Sequence, residues 1–174
     1  MKKIKVNEIS IGNDQPFVFI AGLNVLEDEK TIEEVISKCI SSTKKLGIPY
    51  IFKASYDKAN RSSVDSFRGP GVERGLQILS DLKQDYDVPV ISDIHTPHEA
   101  ELAAEVLDII QIPAFLSRQT DLIEAACSTS IPINIKKGQF LAPSDMNNII
   151  QKCKHFNNED CLLYTSDAAD DTLC

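Results

Sequence analysis

Long apolar runs are absent from this sequence, and so is an excess of basic residues. No run approaches the roughly 20 residues that a membrane-spanning helix needs, and the N-terminus has no apolar core of the about 7–15 residues typical of a secretory signal. The 18 Lys and Arg residues face 26 Asp and Glu residues, and the net charge of −8 argues against a nucleic-acid binder, which needs a basic surface. We therefore expect a cytoplasmic protein that has neither a membrane nor a nucleic acid as its partner.

Several motifs of common cofactor and catalytic sites are missing as well. The five cysteines are odd in number and have no CxxC spacing, which argues against a disulfide framework and a zinc knuckle. Gly22 ends an apolar run but begins no GxGxxG turn, and neither a Walker loop nor a Ser-His-Asp order is visible. What is present is an ordinary globular composition, with 43% hydrophobic and 25% charged residues in a chain of 174. That length fits one domain or a piece of a larger one.

Short apolar runs alternate with helical patterns along the chain. The predicted strands cover residues 17–22, 48–52, 88–92, 106–112 and 131–135. A predicted helix follows each strand, at residues 29–46, at 72–84, from Pro97 onward, at 119–128 and at 145–154. Gly47 is expected to end the first helix, and Ser144 and Asp145 are expected to cap the last one. Strict alternation of this kind predicts a parallel sheet covered by helices.

Two architectures fit this alternation, a doubly wound sheet and a (β/α)8 barrel. Polar residues cluster directly after every predicted strand, which is typical of the catalytic end of a barrel. They are Asn24 and Glu27, Lys53 and Lys58, Asp93 and His95, Gln111, and Lys136 and Lys137. A complete barrel has eight units and typically ~250 residues. The expected fold class is therefore α/β, a (β/α)8 TIM barrel truncated to about its first five β/α units.

The densest polar segment is the predicted loop at residues 53–63, which holds two lysines, one arginine and three serines. Arginine offers a planar fork to a phosphate and lysine offers a point charge, so the loop suits a phosphorylated ligand. In a barrel, Lys58, Arg61 and Lys136 would meet at one mouth, where they would repel one another unless anions filled it. The pattern predicts a pair of phosphorylated substrates. A solvated surface loop is the alternative interpretation.

Two smaller groups of residues are further candidates. Gln111 and Arg118 flank a proline-stiffened loop, and Arg118 precedes a predicted helix start, where an anion can also meet unpaired amides. A surface arginine is the alternative there. Asp93 and His95 are a candidate acid–base or hydroxyl-binding pair. His95 and His98 lie three residues apart, which is weak evidence for a metal site.

Longer motifs contain these residues. They are residues 22–27 (GLNVLE), 53–63 (KASYDKANRSS), 67–71 (FRGPG), 92–95 (SDIH), 111–121 (QIPAFLSRQTD) and 134–140 (NIKKGQF). Because the motifs are long, ungapped and spread over residues 10–150, the chain resembles the 3-deoxy-D-manno-octulosonate 8-phosphate synthase (2-dehydro-3-deoxyphosphooctonate aldolase) family. The resemblance covers essentially all of residues 1–160, somewhat more than half of the family's full length.

This resemblance implies a barrel that assembles as a homotetramer and an enzyme that acts on two small molecules. The family condenses phosphoenolpyruvate with D-arabinose 5-phosphate, which gives 3-deoxy-D-manno-octulosonate 8-phosphate and phosphate in lipopolysaccharide (Kdo) biosynthesis. No lysine Schiff base is needed, so the lysines would act electrostatically. The alternatives are a sister synthase that uses another aldehyde, erythrose 4-phosphate or a mannosamine derivative, and a non-catalytic fragment or module that binds sugar phosphates.

The resemblance also implies roles for single residues. The catalytic set would be Lys58, Lys136, Asp93 and Asn24, of which the two lysines bind phosphoenolpyruvate. The substrate-binding set would be Lys53, Asn60, Arg61, Ser62, Gln111, Ala114, Phe115 and Arg118. Within that set, Arg61 and Ser62 would hold the sugar phosphate, and Arg118 would reach the same phosphate from a neighbouring subunit.

Asn24 implies the subclass within the family. Metal-dependent members have a cysteine thiolate at this position as a ligand for a divalent ion, and asparagine cannot supply that soft anionic ligand. The sequence therefore resembles the metal-independent subclass, for which neither a metal nor another cofactor is expected.

Residues 161–174 are expected to be a non-native tail after an incomplete synthase domain at residues 1–160. Residues 161–170 (CLLYTSDAAD) resemble the translated end of a transposon-type sequencing adapter, and a genuine short acidic tail is the alternative. The family's later strands supply a further phosphate-binding arginine and a histidine, and neither is found in this sequence. We therefore expect this polypeptide by itself to be inactive and prone to aggregate, because an open barrel leaves strand edges bare.

Overall fold

The computed structural model describes residues 2–164. They form two compact units, of which the first holds residues 2–93 and 106–108 and the second holds residues 94–105 and 109–164. Strands and helices alternate along both units, and the strands that alternate with helices pair in parallel and in chain order within each unit. This is the arrangement of the first part of a (β/α)8 barrel, so the predicted fold class is confirmed.

The first unit opens with an antiparallel hairpin. Its strands are β1 (Ile4–Val6) and β2 (Ile9–Ile11). Asn7, in the turn between them, has a positive φ of 51°, a conformation that asparagine tolerates better than most residues. Neither strand is predicted from the sequence, because each has only three residues and no glycine or proline marks the turn.

Three parallel strands form the sheet of the first unit. They are β3 (Phe19–Gly22), β4 (Tyr50–Lys53) and β5 (Val90–Asp93). β4 and β5 begin slightly later than predicted, because Pro49 and Pro89 have no N–H for a sheet ladder. The carbonyls of these prolines accept hydrogen bonds from Phe19 N and Phe52 N, both at 2.9 Å. Each proline therefore ends the preceding loop and leads directly into a strand.

Two helices follow strands of this sheet, α1 (Glu29–Leu46) and α2 (Val72–Tyr86). The ends of α1 match the prediction. Asp28 caps its N-terminus, and hydrogen bonds from the Thr31 hydroxyl and amide hold the pKa of Asp28 below its usual value. Gly47 ends α1 in the left-handed conformation, with a φ of 65°, as predicted.

The second unit continues the alternation. Its elements are α3 (Pro97–Ala104), β6 (Ile109–Ile112), α4 (Thr120–Ser128), β7 (Ile133–Lys136), α5 (Met146–His155) and β8 (Cys161–Tyr164). β6 pairs with β7, and β7 pairs with β8, in both cases in parallel. Pro97 opens α3 at a position that tolerates proline, as predicted. None of the helices described in residues 2–164 is long and apolar enough to cross a membrane.

The start of α5 differs from the prediction. Ser144 and Asp145 lie in a short 3₁₀ turn, Pro143–Asp145, that precedes the helix, and the side chain of Asp145 does not cap α5. The Asp145 carboxylate accepts a hydrogen bond from Ala142 N at 3.1 Å instead. It stabilises the 3₁₀ turn, and the predicted cap is wrong.

β8 falls in the stretch that the sequence predicts to be a non-native tail. Cys161 pairs with Ile133, and Tyr164 pairs with Lys136. Residues 165–174 lie outside the described residues. The non-native origin of residues 161–174 stays a prediction.

β4, β5, β6 and β7 are largely buried on both faces, as parallel strands between helices usually are, whereas β3 and β8 are half-buried to exposed. Ile51 and Val90 of the first unit and Ile110 of the second are fully buried. The helical positions of Cys39, Cys127 and Cys153 predict core residues; Cys127 and Cys153 are buried free thiols, whereas Cys39 is only half-buried. The core thus follows the apolar runs that predict β4 to β7, whereas Phe17, Phe19 and Ile20 of the first predicted strand are exposed.

Asp108 links three elements of the first unit. Its Oδ1 accepts hydrogen bonds from Lys83 Nζ at 2.9 Å and Asn7 Nδ2 at 3.2 Å, and its Oδ2 accepts one from Val90 N at 2.9 Å. Several donors are what a largely buried carboxylate requires. Asp108 thereby ties the hairpin and α2 to the start of β5, the strand whose last residue is Asp93.

Candidate active site

Charged side chains cluster at the carboxyl ends of β4 and β5. Lys53 is the last residue of β4, Asp93 is the last residue of β5, and Lys58 lies in the loop that follows β4. Lys58 Nζ donates to Asp93 Oδ2 at 3.3 Å, and Lys53 Nζ lies 3.8 Å from Asp93 Oδ1. The three residues meet because parallel strands bring their carboxyl ends to the same edge of a sheet.

This cluster is largely buried. The side chains of Asp93 and Lys58 are 6% and 13% exposed, and that of Lys53 is 22% exposed. Ser55 is fully buried beside them: its hydroxyl donates to Asp93 Oδ1 at 2.5 Å and accepts from Lys53 Nζ at 3.3 Å. Sequence reasoning missed Ser55 as a member of the site, because it is one of several serines in a polar loop and only the contact with Asp93 distinguishes it.

Asp93 is the negative centre between two positive groups. A buried charge is costly when it is alone, and pairing offsets much of that cost. The two ammonium groups and the one carboxylate sum to one positive charge, so an anion beside the lysines would be stabilised. An ammonium that donates to a carboxylate has no lone pair for nucleophilic attack. The cluster is therefore suited to hold an anionic substrate rather than to form a covalent bond with it.

The remaining predicted residues of the same loop lie at the surface. Asn60, Arg61 and Ser62 are exposed, and Arg61 Nε donates to Phe67 O at 3.3 Å. A ligand can reach such donors, but a solvated loop would expose them equally. Their role in binding stays a prediction.

In the second unit, Gln111 of β6 and Asn134 of β7 form a buried polar pair. Asn134 Nδ2 donates to Gln111 Oε1 at 3.0 Å, and both residues are 5% exposed. Only Gln111 is predicted as a site residue from the sequence, because an asparagine within an apolar strand gives no distinct signal. The amide of Asn134 fixes the orientation of the Gln111 side chain.

Lys136 ends β7 and is half-buried. Its ammonium lies 5.1 Å from the centroid of the Tyr164 ring, within the range of a cation–π contact. Lys136 belongs to the second unit, whereas Lys58 and Arg61 belong to the first. The convergence of these three cations at one mouth stays a prediction.

The segment that follows β6 carries three further predicted residues. Ala114 and Phe115 lie in a 3₁₀ turn, and Phe115 is 52% exposed. Arg118 is also exposed, but its backbone is anchored, because Lys152 Nζ donates to Arg118 O at 2.7 Å and to Thr120 Oγ1 at 2.8 Å. Lys152 therefore holds Arg118 in place at the start of α4.

Asn24 and His95 are the residues on which the expectations about metal depend. Asn24 is exposed in the turn after β3. His95 N donates to Glu99 Oε2 at 3.1 Å, and His95 Nδ1 lies 3.5 Å from the same oxygen. Within residues 2–164, no group of three or more His, Cys, Asp or Glu side chains is arranged to hold a metal ion. The pairing of His95 with Asp93 stays a prediction.

Comparison with known proteins decides the family. The family model of the DAHP synthetase I family matches residues 1–168. The chain belongs to this family. A relative from Hahella chejuensis is 54% identical over 162 residues, and one from Marinobacter nauticus is 58% identical over 160 residues; both are named 2-dehydro-3-deoxyphosphooctonate aldolase. The alignments cover 93% and 92% of this chain, but 58% and 57% of the relatives.

These matches confirm the resemblance predicted from the motifs. The chain spans less than two thirds of the length of the relatives, as the shares of 58% and 57% show. Membership in the DAHP synthetase I family does not by itself assign roles to single residues. The roles of the site residues stay predictions that follow from their chemistry and contacts.

Replacing Asp93 by asparagine should destabilise the protein, because Lys53 and Lys58 would lose the carboxylate between them. Removing one member of a buried ion pair typically costs about 3–5 kcal/mol, and partial exposure of the lysines reduces this, so we expect the free energy of unfolding to fall by about 2–3 kcal/mol. Urea denaturation followed by circular dichroism measures the change. Millimolar phosphate should restore part of the loss, because it can take the place of the carboxylate.

Asp85→Asn is the matched control, since Asp85 is an exposed carboxylate in the last turns of α2. It should change the free energy of unfolding by no more than about 0.5 kcal/mol. Equal destabilisation by the two substitutions, or an Asp93 variant that phosphate does not stabilise, would contradict the assigned role of Asp93.

Proposed function

We propose that the protein is a 3-deoxy-8-phosphooctulonate synthase, a cytoplasmic transferase that works as a homotetramer. It condenses phosphoenolpyruvate with D-arabinose 5-phosphate and releases 3-deoxy-D-manno-octulosonate 8-phosphate and phosphate, a step in the formation of Kdo for lipopolysaccharide. The buried cluster of Lys53, Lys58 and Asp93 at the carboxyl ends of parallel strands carries the proposal. It occurs in a chain that is 58% identical to a protein named 2-dehydro-3-deoxyphosphooctonate aldolase.

The reaction joins two phosphorylated molecules without a covalent enzyme intermediate. C3 of phosphoenolpyruvate attacks the aldehyde carbon of the sugar phosphate, and a water molecule adds at C2. The bond between C2 and the phosphate oxygen then breaks, and inorganic phosphate leaves. Lysines that hold the two anions side by side reduce their repulsion, which is an electrostatic contribution to catalysis.

The predicted site residues other than Asn24 have the following places in this reaction. Lys58 and Lys136 bind phosphoenolpyruvate, and Asp93 orients Lys58 through the contact of 3.3 Å. The other residues proposed to bind substrate are Lys53, Gln111, Ala114 and Phe115. The residues for arabinose 5-phosphate are Asn60, Arg61 and Ser62, together with Arg118 from a neighbouring subunit. A substrate can reach Asn60, Arg61 and Ser62 from the solvent, because all three are exposed.

A synthase that uses another aldehyde is the second candidate function. The matching family model carries the name DAHP synthetase I and not that of the aldolase relatives, so family membership by itself does not choose the aldehyde. The segment at residues 58–63 (KANRSS) favours arabinose 5-phosphate over erythrose 4-phosphate and a mannosamine derivative.

Phosphate release distinguishes the candidate aldehydes. The assay uses a hybrid enzyme in which residues 1–160 of this chain are joined to the C-terminal part of the Marinobacter nauticus relative. We expect release of phosphate from phosphoenolpyruvate with arabinose 5-phosphate, and release at least about 100-fold slower with erythrose 4-phosphate or a mannosamine derivative, because a site built for one polar substrate rejects its analogues. Faster release with either of the other aldehydes would refute the proposed substrate.

The 174-residue chain by itself is the control in this assay. It should release no phosphate, in line with the expectation that it is inactive alone. Turnover by the chain at the rate of the hybrid would show that residues 1–174 hold a complete site.

Asn24 supports a metal-independent reaction, because its amide cannot replace a thiolate as a soft anionic ligand. We therefore expect EDTA to leave the activity of the hybrid enzyme unchanged. Phosphate release before and after incubation with EDTA, followed by removal of the chelator, measures this. A large loss that a divalent metal restores would assign the protein to the metal-dependent subclass.

A further inference from the structure

The loop at residues 54–71, between β4 and α2, carries Lys58 and Arg61 in the first unit. It contains no helix or strand. Its outgoing part, residues 54–61, and its returning part, residues 67–71, are nevertheless joined by hydrogen bonds. Lys58 N donates to Arg68 O at 2.7 Å, and Arg61 Nε donates to Phe67 O at 3.3 Å. The returning part therefore supports the backbone of Lys58 and the side chain of Arg61.

The two parts of this loop also approach each other closely at Tyr56. Gly69 has a φ of 117°, and a Cβ at this position would lie 2.4 Å from Tyr56 O. Gly71 N donates to the same carbonyl at 3.0 Å. Only a residue without a side chain fits at position 69, so the returning part is held against the outgoing part just before Asp57 and Lys58.

A bidentate ion pair between the side chains of Arg68 and Asp57, called the fork below, completes these contacts. Arg68 Nε donates to Asp57 Oδ1 at 2.8 Å, and Arg68 Nη2 donates to Asp57 Oδ2. Two parallel hydrogen bonds of this kind fix the relative orientation of an arginine and a carboxylate, which a lysine cannot do. Arg68 thus contacts Asp57 through its side chain and the next residue, Lys58, through its carbonyl.

The fork lies at the surface, where it can affect the loop more than the stability of the whole fold. The side chain of Arg68 is 55% exposed and that of Asp57 is 20% exposed. Ion pairs in contact with solvent contribute little to global stability. Lys58 Nζ, by contrast, must reach a buried carboxylate, Asp93 Oδ2, at 3.3 Å. The position of the Lys58 backbone determines whether its ammonium can form this hydrogen bond.

We propose that Arg68 is a positioning residue for the anion site and that Asp57 is its partner. Through the fork and through its carbonyl, Arg68 holds Lys58 in the position from which the ammonium reaches Asp93. The inference rests on the proposed function in one respect, namely that Lys58 binds a phosphorylated substrate. Arg68 and Asp57 act on the site through the backbone of Lys58, so they position a binding residue and do not themselves hold the substrate.

The fork and the hydrogen bond from Lys58 N to Arg68 O together form a clamp on Lys58. Amide exchange tests this clamp without any ligand. In the ¹⁵N-labelled hybrid enzyme, Arg68→Lys keeps the charge and removes the fork. The Lys58 amide should then exchange with solvent at least about tenfold faster, because its hydrogen bond to Arg68 O opens more often. The amide of Phe52, bonded to Pro89 O in the sheet, should keep its rate. An unchanged Lys58 rate, or equal acceleration at Phe52, would overturn the proposal.

Arg74→Lys is the matched control, since Arg74 is an exposed arginine on the neighbouring helix α2. It should alter neither amide. Asp57→Asn should accelerate the Lys58 amide as much as Arg68→Lys does, and the double variant should be no faster than either single variant, because all three lose the same fork. Additive effects of the two substitutions would show that they act separately and would contradict a shared clamp.

Phosphoenolpyruvate added to the same samples links the clamp to the site. Chemical shifts of the Lys58 amide should report binding to the unsubstituted hybrid enzyme, with an affinity at least about fivefold weaker in the Arg68→Lys variant and unchanged in Arg74→Lys. Equal affinities in all three would overturn the positioning role. If phosphoenolpyruvate shifts no resonance of the unsubstituted hybrid enzyme, that result counts against the proposed function, and the exchange rates still decide whether the clamp exists.

Discussion

The contacts of two lysines with Asp93 are the interaction on which the candidate site depends. Lys53 and Lys58 would repel each other in a buried setting, and the carboxylate between them makes their proximity stable. The start of the same strand, β5, is held by a second carboxylate, Asp108, which accepts from Lys83 and from Val90 N. β5 is thus fixed at both ends by acidic groups paired with lysines, and one of these pairs leaves positive charge available to an anion.

Apolar periodicity predicts most of the fold, because burying these runs is the main driving force of folding. The helix at residues 29–46 is predicted at both ends, from its apolar spacing and from Gly47, and the structure adds the cap at Asp28. Strand starts are less predictable: Pro49 and Pro89 lie within apolar runs but cannot join a ladder. The hairpin of β1 and β2 is too short for periodicity to reveal, and Asp145 has a local partner, Ala142 N, that competes with the predicted cap.

The site is predictable only in part, for a related reason. Lys58 and Asp93 are predicted because polar residues that cluster after the strands are typical of the catalytic end of a barrel, and the structure brings the two together in the first unit. Ser55 and Asn134 are ordinary polar residues in the sequence, and their importance comes from contacts that only the folded chain creates. The same holds for Arg68, whose fork to Asp57 spans a loop. Local sequence thus predicts which charges matter, and tertiary contacts determine what orients them.

The most direct test of the central claim is the steady-state dependence of the hybrid enzyme on phosphoenolpyruvate when Lys58 is replaced by glutamine. The account predicts that kcat/KM for phosphoenolpyruvate falls by roughly tenfold to hundredfold or more, the loss expected for a charged hydrogen bond. Lys38→Gln, which removes an exposed lysine paired with Glu34 on α1, should leave kcat/KM unchanged. A Lys58→Gln enzyme as efficient as the Lys38→Gln control would contradict the claim that the charge beside Asp93 holds the substrate.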